Sequence, residues 1–82
     1  MTWQETADNG LTKSWEFDDF DAAWAFASRI ALLCAAHNHH PDMTVGWGKV
    51  QVSGLWTHDA GNKITEKDWA LAAAIDGVAI SL

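Results

Sequence analysis

The stretch that decides the fold is "DDFDAAWAFASRIALLCAAHN", residues 18–38. Its apolar residues recur at intervals of three and four, the spacing of one face of an α-helix. We expect Asp18 or Asp19 to cap the N-terminus. Pro41 requires the helix to end before it, because a proline pushes the preceding residue out of the helical region. The pattern therefore predicts a helix over about 19–38. Its apolar face consists of Phe20, Ala23, Ala27, Ile30 and Cys34.

Further apolar residues lie outside this face. Between positions 22 and 36 only Ser28 and Arg29 are polar. A helix that is apolar nearly all round is buried on more than one side. In a chain of 82 residues the second side has little of its own chain to meet. We therefore predict a homo-oligomer, either a dimer or a tetramer. The apolar residues outside the face are Trp24, Phe26, Leu32 and Leu33.

Two pairs of strands flank this helix in the sequence. "WQET" (3–6) and "LTKSWEF" (11–17) are joined by "ADNG", in which Asn9–Gly10 supplies the positive φ angles of a tight hairpin turn. After the helix, valine and tryptophan predict strands over 43–47 and 49–57. A glycine within the second of these strands, Gly54, predicts a bulge.

A second helix closes the chain. "TEKD" has the pattern of a helix start, with Thr65 as N-cap and Asp68 as the acid of a capping box. The helix is predicted over 65–79. The order β-β-α-β-β-α predicts the α+β class, with a four-stranded antiparallel sheet and helices packed on one face. Its length predicts a single domain, 1–82.

Composition argues against several classes of partner. The net charge is −6, which repels phosphate backbones and so speaks against direct nucleic-acid binding. There is no polybasic segment for an anionic membrane and no signal-peptide pattern at the N-terminus. We expect a soluble cytoplasmic protein without membrane contact. Cys34, the single cysteine, is expected to be a buried core thiol.

The histidines are unevenly distributed. Three of the four fall in "HNHH" just before the single proline, and His58 follows a predicted strand. A helix end and a strand end that meet at one sheet edge would bring these rings together. Three interpretations stay open: solvated loop histidines (favoured for His37), a three-histidine metal site, or acid–base catalysis without metal. The metal site is disfavoured because adjacent His39 and His40 converge poorly on one point.

The motifs "WEFDDFDAAWAF", "NHHPD", "KVQV", "THDAG" and "TEKDWALAAAID" occur in this order, and together they resemble the pterin-4a-carbinolamine dehydratase family. The resemblance extends from about Trp3 to Ile80. It implies dehydration of 4a-hydroxytetrahydropterin to quinonoid dihydropterin, in tetrahydropterin recycling, with no metal or organic cofactor and in a dimer or dimer of dimers. Because the animal member is also a dimerisation cofactor of a transcription factor, a non-catalytic oligomeric binding module is the alternative.

The resemblance also implies site residues. The positions that match the family's catalytic histidines are His39, His40 and His58. The positions that match its pterin-contacting residues are Pro41, Trp47, Thr57, Asp59, Ala60 and Asp68. We expect His39 and His58 to be the essential acid–base pair, with His40 binding and orienting the pterin.

Two of these positions keep a structural alternative, since Trp47 also suits a strand core and Asp68 also suits a helix start. The sequence departs from the family where Ala35 replaces an acid that is common one helical turn before the paired histidines. We also expect no helix before the first strand, where the family usually has one. Relative to the family, this sequence has one extra residue in the strand before His58, near Gly54, and one extra residue in the loop after it, in "DAGNKIT". A slower enzyme is therefore expected.

Overall fold

Four antiparallel strands form one sheet, and two helices cover it. The computed structural model describes residues 2–81. The strands pair in the order β1-β2-β4-β3, all antiparallel, which confirms the predicted α+β class. The elements are β1 Gln4–Thr6, β2 Gly10–Glu16, α1 Phe20–His37, β3 Asp42–Gly46, β4 Lys49–Leu55, a 3-10 turn His58–Ala60 and α2 Glu66–Ser81.

Helix α1 has both of the ends that its sequence predicts. The Asp19 carboxylate accepts a hydrogen bond of 2.8 Å from the backbone N–H of Ala22. At the other end Asn38 takes the left-handed conformation, with φ 50° and ψ 46°. The N–H of His39 then donates back to the carbonyl of Cys34 at 3.0 Å. This reversal ends the helix before the proline and directs His39 away from the helix axis.

Both helices pack on the same face of the sheet around one core. In α1 the buried stripe includes Phe26, which is fully buried, whereas Phe20 is 41% exposed. The predicted face was therefore wrong at these two positions, because the stripe in contact with the sheet is centred on 23, 26, 27 and 30. The core consists of Leu11, Ala23, Phe26, Ala27, Ile30, Cys34, Val50, Val52, Leu55, Leu71, Ala72 and Ile75.

Cys34 lies in this core, as predicted. Burial raises the pKa of its thiol above the ordinary value, and a backbone hydrogen bond opposes this only in part. The thiol is therefore a core group that stays protonated at neutral pH.

The hairpin turns differ in detail from the prediction. Gly10 has φ +60°, but Asn9 is not left-handed; instead its backbone N–H donates a hydrogen bond of 3.0 Å to the hydroxyl oxygen of Thr6. The predicted bulge at Gly54 is confirmed, with φ +64° and a shift in the β2–β4 pairing beside it. Strand β4 ends at Leu55 rather than at 57, because the chain leaves the ladder after this bulge.

Several large apolar side chains are exposed on the surface. Trp24 is 54% exposed and Leu32 72% exposed, both on α1. Phe20 stacks between Trp24 and Trp47, with ring centroids 6.0 and 6.5 Å apart. Such a surface suits the predicted homo-oligomer, which stays a prediction. Within residues 2–81 no helix has the length and apolar character needed to cross a membrane.

Candidate functional site

His39 stands where the chain leaves α1, and a carboxylate holds its ring. The side chain is 19% exposed, and Nε2 is hydrogen-bonded to Oδ1 of Asp68. A carboxylate only accepts hydrogen bonds, so Nε2 must carry the hydrogen. No hydrogen bond from Nδ1 to another described residue competes with a ligand. His39 therefore presents Nδ1 as the nitrogen that can exchange a proton.

Asp68 is fully buried and holds several groups at once. Its Oδ2 accepts the backbone N–H of Thr65 at 2.7 Å and the hydroxyl of Thr57 at 3.0 Å. The predicted capping box is therefore present, and the same carboxylate orients His39. The hydrogen bonds of Asp68 orient the ring of His39 and the start of α2, and its predicted pterin contact stays a prediction.

His58 lies on an exposed loop that is closed at its base. The backbones of Thr57 and Lys63 pair at 2.8 and 3.4 Å, and Asn62 takes the left-handed conformation. The ring Nδ1 of His58 donates to Oδ1 of Asn62 at 2.6 Å. Nε2 is then the nitrogen left for a ligand. His39 and His58 are thus each fixed through one nitrogen and free at the other.

The two rings share a cleft of about 450 Å³. It lies where α1 ends, β4 ends and α2 begins, as expected from a helix end and a strand end that meet at one sheet edge. Of the residues inferred from sequence, it brings together His39, Thr57, His58 and Asp59. The full lining is His37, Asn38, His39, Thr57, His58, Asp59, Lys67 and Ala70.

The remaining residues inferred from sequence lie elsewhere. His40 is exposed and Pro41 half-buried, and neither belongs to the cleft lining. Ala60 is exposed in the same 3-10 turn as His58. Trp47 is 74% exposed in the β3–β4 turn. Because β3 begins beside the histidines and β4 ends there, that turn lies at the opposite end of the hairpin, so within one chain Trp47 cannot contact a ligand in this cleft.

Sequence reasoning assigned no site role to five residues found here. His37, Asn38, Lys67 and Ala70 line the cleft, and Asn62 orients His58. Lys67 and Ala70 are three positions apart, so they share a face of α2; this was a usable signal once α2 had been placed. In residues 2–81 no three side chains among His, Cys, Asp and Glu are grouped as a metal site requires.

Comparison with known proteins identifies the family. The model of the pterin 4 alpha carbinolamine dehydratase family matches residues 1–78. The chain belongs to this family. A relative from Chloroflexus aggregans is 42% identical over 76 residues, and the match covers 93% of this chain and 79% of the relative. Its name assigns it provisionally as a pterin-4-alpha-carbinolamine dehydratase. A similarly named relative from Rhodospirillum rubrum is 42% identical over 73 residues, which are 89% of this chain and 74% of the relative.

Two solved structures of pterin dehydratase type share the fold. The transcriptional coactivator/pterin dehydratase from Brucella melitensis superposes with a TM-score of 0.80 and 31% identity, over 93% of this chain and 80% of that one. A pterin dehydratase-like protein described as a RuBisCO assembly factor of the alpha-carboxysome gives a TM-score of 0.80 and 25% identity, over 96% of this chain and 90% of that protein. A protein that shares this fold is thus described as an assembly factor.

Proposed function

We propose that this chain dehydrates 4a-hydroxytetrahydropterins to quinonoid dihydropterins and water. It would do so as a cytoplasmic homo-oligomer in tetrahydropterin recycling, without metal or organic cofactor. The observation that carries the proposal is the pair of imidazoles in one cleft, His39 and His58, each fixed at one nitrogen and free at the other. Membership of the dehydratase family supplies the substrate class.

The reaction needs one proton donor and one proton acceptor. The C4a hydroxyl leaves as water only after it gains a proton, and the hydrogen on N5 must go to a base as the C=N bond forms. Two histidines of opposite protonation state meet both needs. Acid–base assistance of this kind is worth about 10²–10⁴-fold in rate. His39 and His58 would hold these two roles.

Neighbouring groups would fix the roles of both rings. Asp68 keeps the hydrogen of His39 on Nε2, so that Nδ1 exchanges the proton. Asn62 fixes the other tautomer in His58, whose Nε2 is left for the substrate. Asp59, in the lining, would accept the 2-amino and N3 hydrogens of the pterin ring, because a carboxylate matches two parallel N–H donors.

Turnover of the carbinolamine tests the proposal. We expect the wild-type protein to exceed the spontaneous dehydration rate. His39→Ala and His58→Ala should each reduce turnover by about 10²-fold or more. His40→Ala should mainly raise KM, since we expect His40 to bind and orient the pterin rather than to transfer a proton. A folded wild-type protein that gives only the spontaneous rate would refute the proposal.

A second candidate is a binding module with little catalysis. It is favoured by the likeness to the protein described as a RuBisCO assembly factor and by the exposed Trp24 and Leu32 of α1. On this reading the protein would pair with or stabilise another protein through its apolar helix surface. The same turnover assay separates the two candidates, because the binding module predicts no rate above the spontaneous one.

A further inference from the structure

The cleft contains a cation that the dehydration step does not use. Lys67, in the first turn of α2, lines the cleft beside the two catalytic candidates. In residues 2–81 the contacts between a basic side chain and a carboxylate are Lys13–Asp76 and His39–Asp68, so the Lys67 ammonium has no carboxylate partner there. Its charge is therefore available to a ligand.

A second group of hydrogen-bond donors completes the lining. His37, the last residue of α1, is exposed and lines the cleft together with Asn38. An imidazole keeps at least one N–H donor whether it is neutral or protonated, and an amide has two. Asp59 is the one acid of the lining.

The cleft lining, with one lysine and one aspartate, carries no net negative charge, unlike the chain as a whole. The net charge of the chain is −6, yet three of its four histidines and an unpaired lysine line this cleft. Dehydration occupies His39 and His58, and the pterin ring edge occupies Asp59. The remaining donors, Lys67 and His37, are needed neither for the proton transfers nor for the ring edge at Asp59, so they are left for another group of the ligand.

We propose that the pterin accepted here carries a phosphate monoester on its side chain, held by Lys67 with His37. This inference rests on the proposed function, because it names the substrate class of the same cleft. A phosphate ester carries up to two negative charges and accepts several hydrogen bonds, which an ammonium and an imidazole N–H both satisfy. Lys67 would thus set specificity without taking part in the proton transfers.

Two ligands with the same ring test the inference. 6-Hydroxymethyl-7,8-dihydropterin and its phosphate monoester should be titrated into the full chain by calorimetry at low ionic strength. We expect the phosphate to bind more tightly by about tenfold or more, the worth of one charge-assisted hydrogen bond. Lys67→Gln keeps a polar side chain but removes the charge; it should abolish this advantage and leave the affinity for the hydroxymethyl compound unchanged.

Lys49→Gln is the matched control, since it removes the same charge. Lys49 begins β4 at the end remote from the cleft, roughly 20 Å away at about 3.3 Å per residue. This exceeds the screening length of about 10 Å, so the control should keep the preference. Equal affinities in the wild type, or a preference that survives Lys67→Gln, would overturn the inference. Turnover of the neutral carbinolamine without any preference for the phosphate would overturn the phosphate inference and leave the dehydratase proposal intact. A preference that depends on Lys67, found without turnover, would instead refute the dehydratase proposal.

Discussion

Replacing Asp68 by Asn should disable His39 without removing it. In the native protein Oδ1 of Asp68 accepts from His39, and Oδ2 accepts the N–H of Thr65 at 2.7 Å and the hydroxyl of Thr57 at 3.0 Å. An amide has one accepting oxygen. Because two donors meet at the Oδ2 position, the amide oxygen should take that place and turn its NH₂ group toward His39. Nε2 must then become an acceptor, and the ring hydrogen moves to Nδ1.

The size of the effect follows from this change of tautomer. Nδ1 is the nitrogen left for the substrate, and once it carries the hydrogen it no longer accepts a proton. We expect kcat to fall by about 10²–10⁴-fold. The free energy of unfolding should fall by about 1–3 kcal/mol, because a hydrogen bond to a buried carboxylate is weakened. Turnover, urea denaturation and the nitrogen chemical shifts of His39 measure the three effects.

Thr65→Ala is the matched control for the loss of stability. It removes the hydroxyl that accepts the N–H of Lys67 at 3.3 Å and is bonded to the Thr57 hydroxyl at 2.7 Å, and with it about 1 kcal/mol of capping. The hydroxyl also lies 3.4 Å from Oδ2 of Asp68, but the contact between Oδ1 of Asp68 and His39 stays in place. Turnover should stay near the wild-type value. If folded Asp68→Asn retains wild-type turnover, or if His39 keeps its hydrogen on Nε2, the positioning role assigned to Asp68 is wrong.

Three further predictions concern stability and assembly. Gly54→Ala places a Cβ at φ +64° and 3.0 Å from a carboxylate oxygen, so it should cost about 2 kcal/mol in urea denaturation. Gly61→Ala, at φ +79° with open space, should cost about 1 kcal/mol, and equal losses would contradict the steric argument. Asp76→Asn removes the charge that pairs at 2.8 Å with Lys13, whose side chain is 10% exposed. Because Asp76 itself is 37% exposed and so partly screened by solvent, we expect the free energy of unfolding to fall by only about 1–3 kcal/mol. An unchanged denaturation midpoint would show that the pair contributes little. Leu32→Arg should shift a dimer or tetramer toward monomer in light scattering, whereas a wild-type monomer at micromolar concentration would end the oligomer prediction.

Much of the fold could be predicted from the sequence because the capping residues, the proline and the apolar periodicity all indicated the same elements. The acid at 19, the proline at 41 and the "TEKD" start set the helix ends to within one or two residues. The core face of α1 was less accurate, since a helix apolar nearly all round does not reveal which stripe meets the sheet. Phe26 shows this, because its burial depends on where the sheet lies beneath the helix.

The site was predictable only in part, for physical reasons. A helix end and a strand end at one sheet edge bring His39 and His58 together, whereas Trp47, also inferred from sequence, lies in the turn at the other end of the β3–β4 hairpin. The burial of Asp68 and the position of Lys67 at the cleft depend on how α2 crosses the end of β4. This crossing cannot be predicted from a local sequence pattern. Sequence reasoning treated the capping and site roles of Asp68 as alternatives, but one carboxylate caps α2 and also holds His39.

The most direct test of the central claim is the dehydration rate of a 4a-hydroxytetrahydropterin in the presence of the wild-type chain and of the His39→Ala/His58→Ala double variant. If the two imidazoles supply the proton donor and acceptor, the wild type exceeds the spontaneous rate by about 10²-fold or more. The double variant, folded and in the same oligomeric state, should then return to the spontaneous rate. A wild-type rate equal to the spontaneous one, or a double variant as fast as the wild type, would contradict histidine catalysis in this cleft.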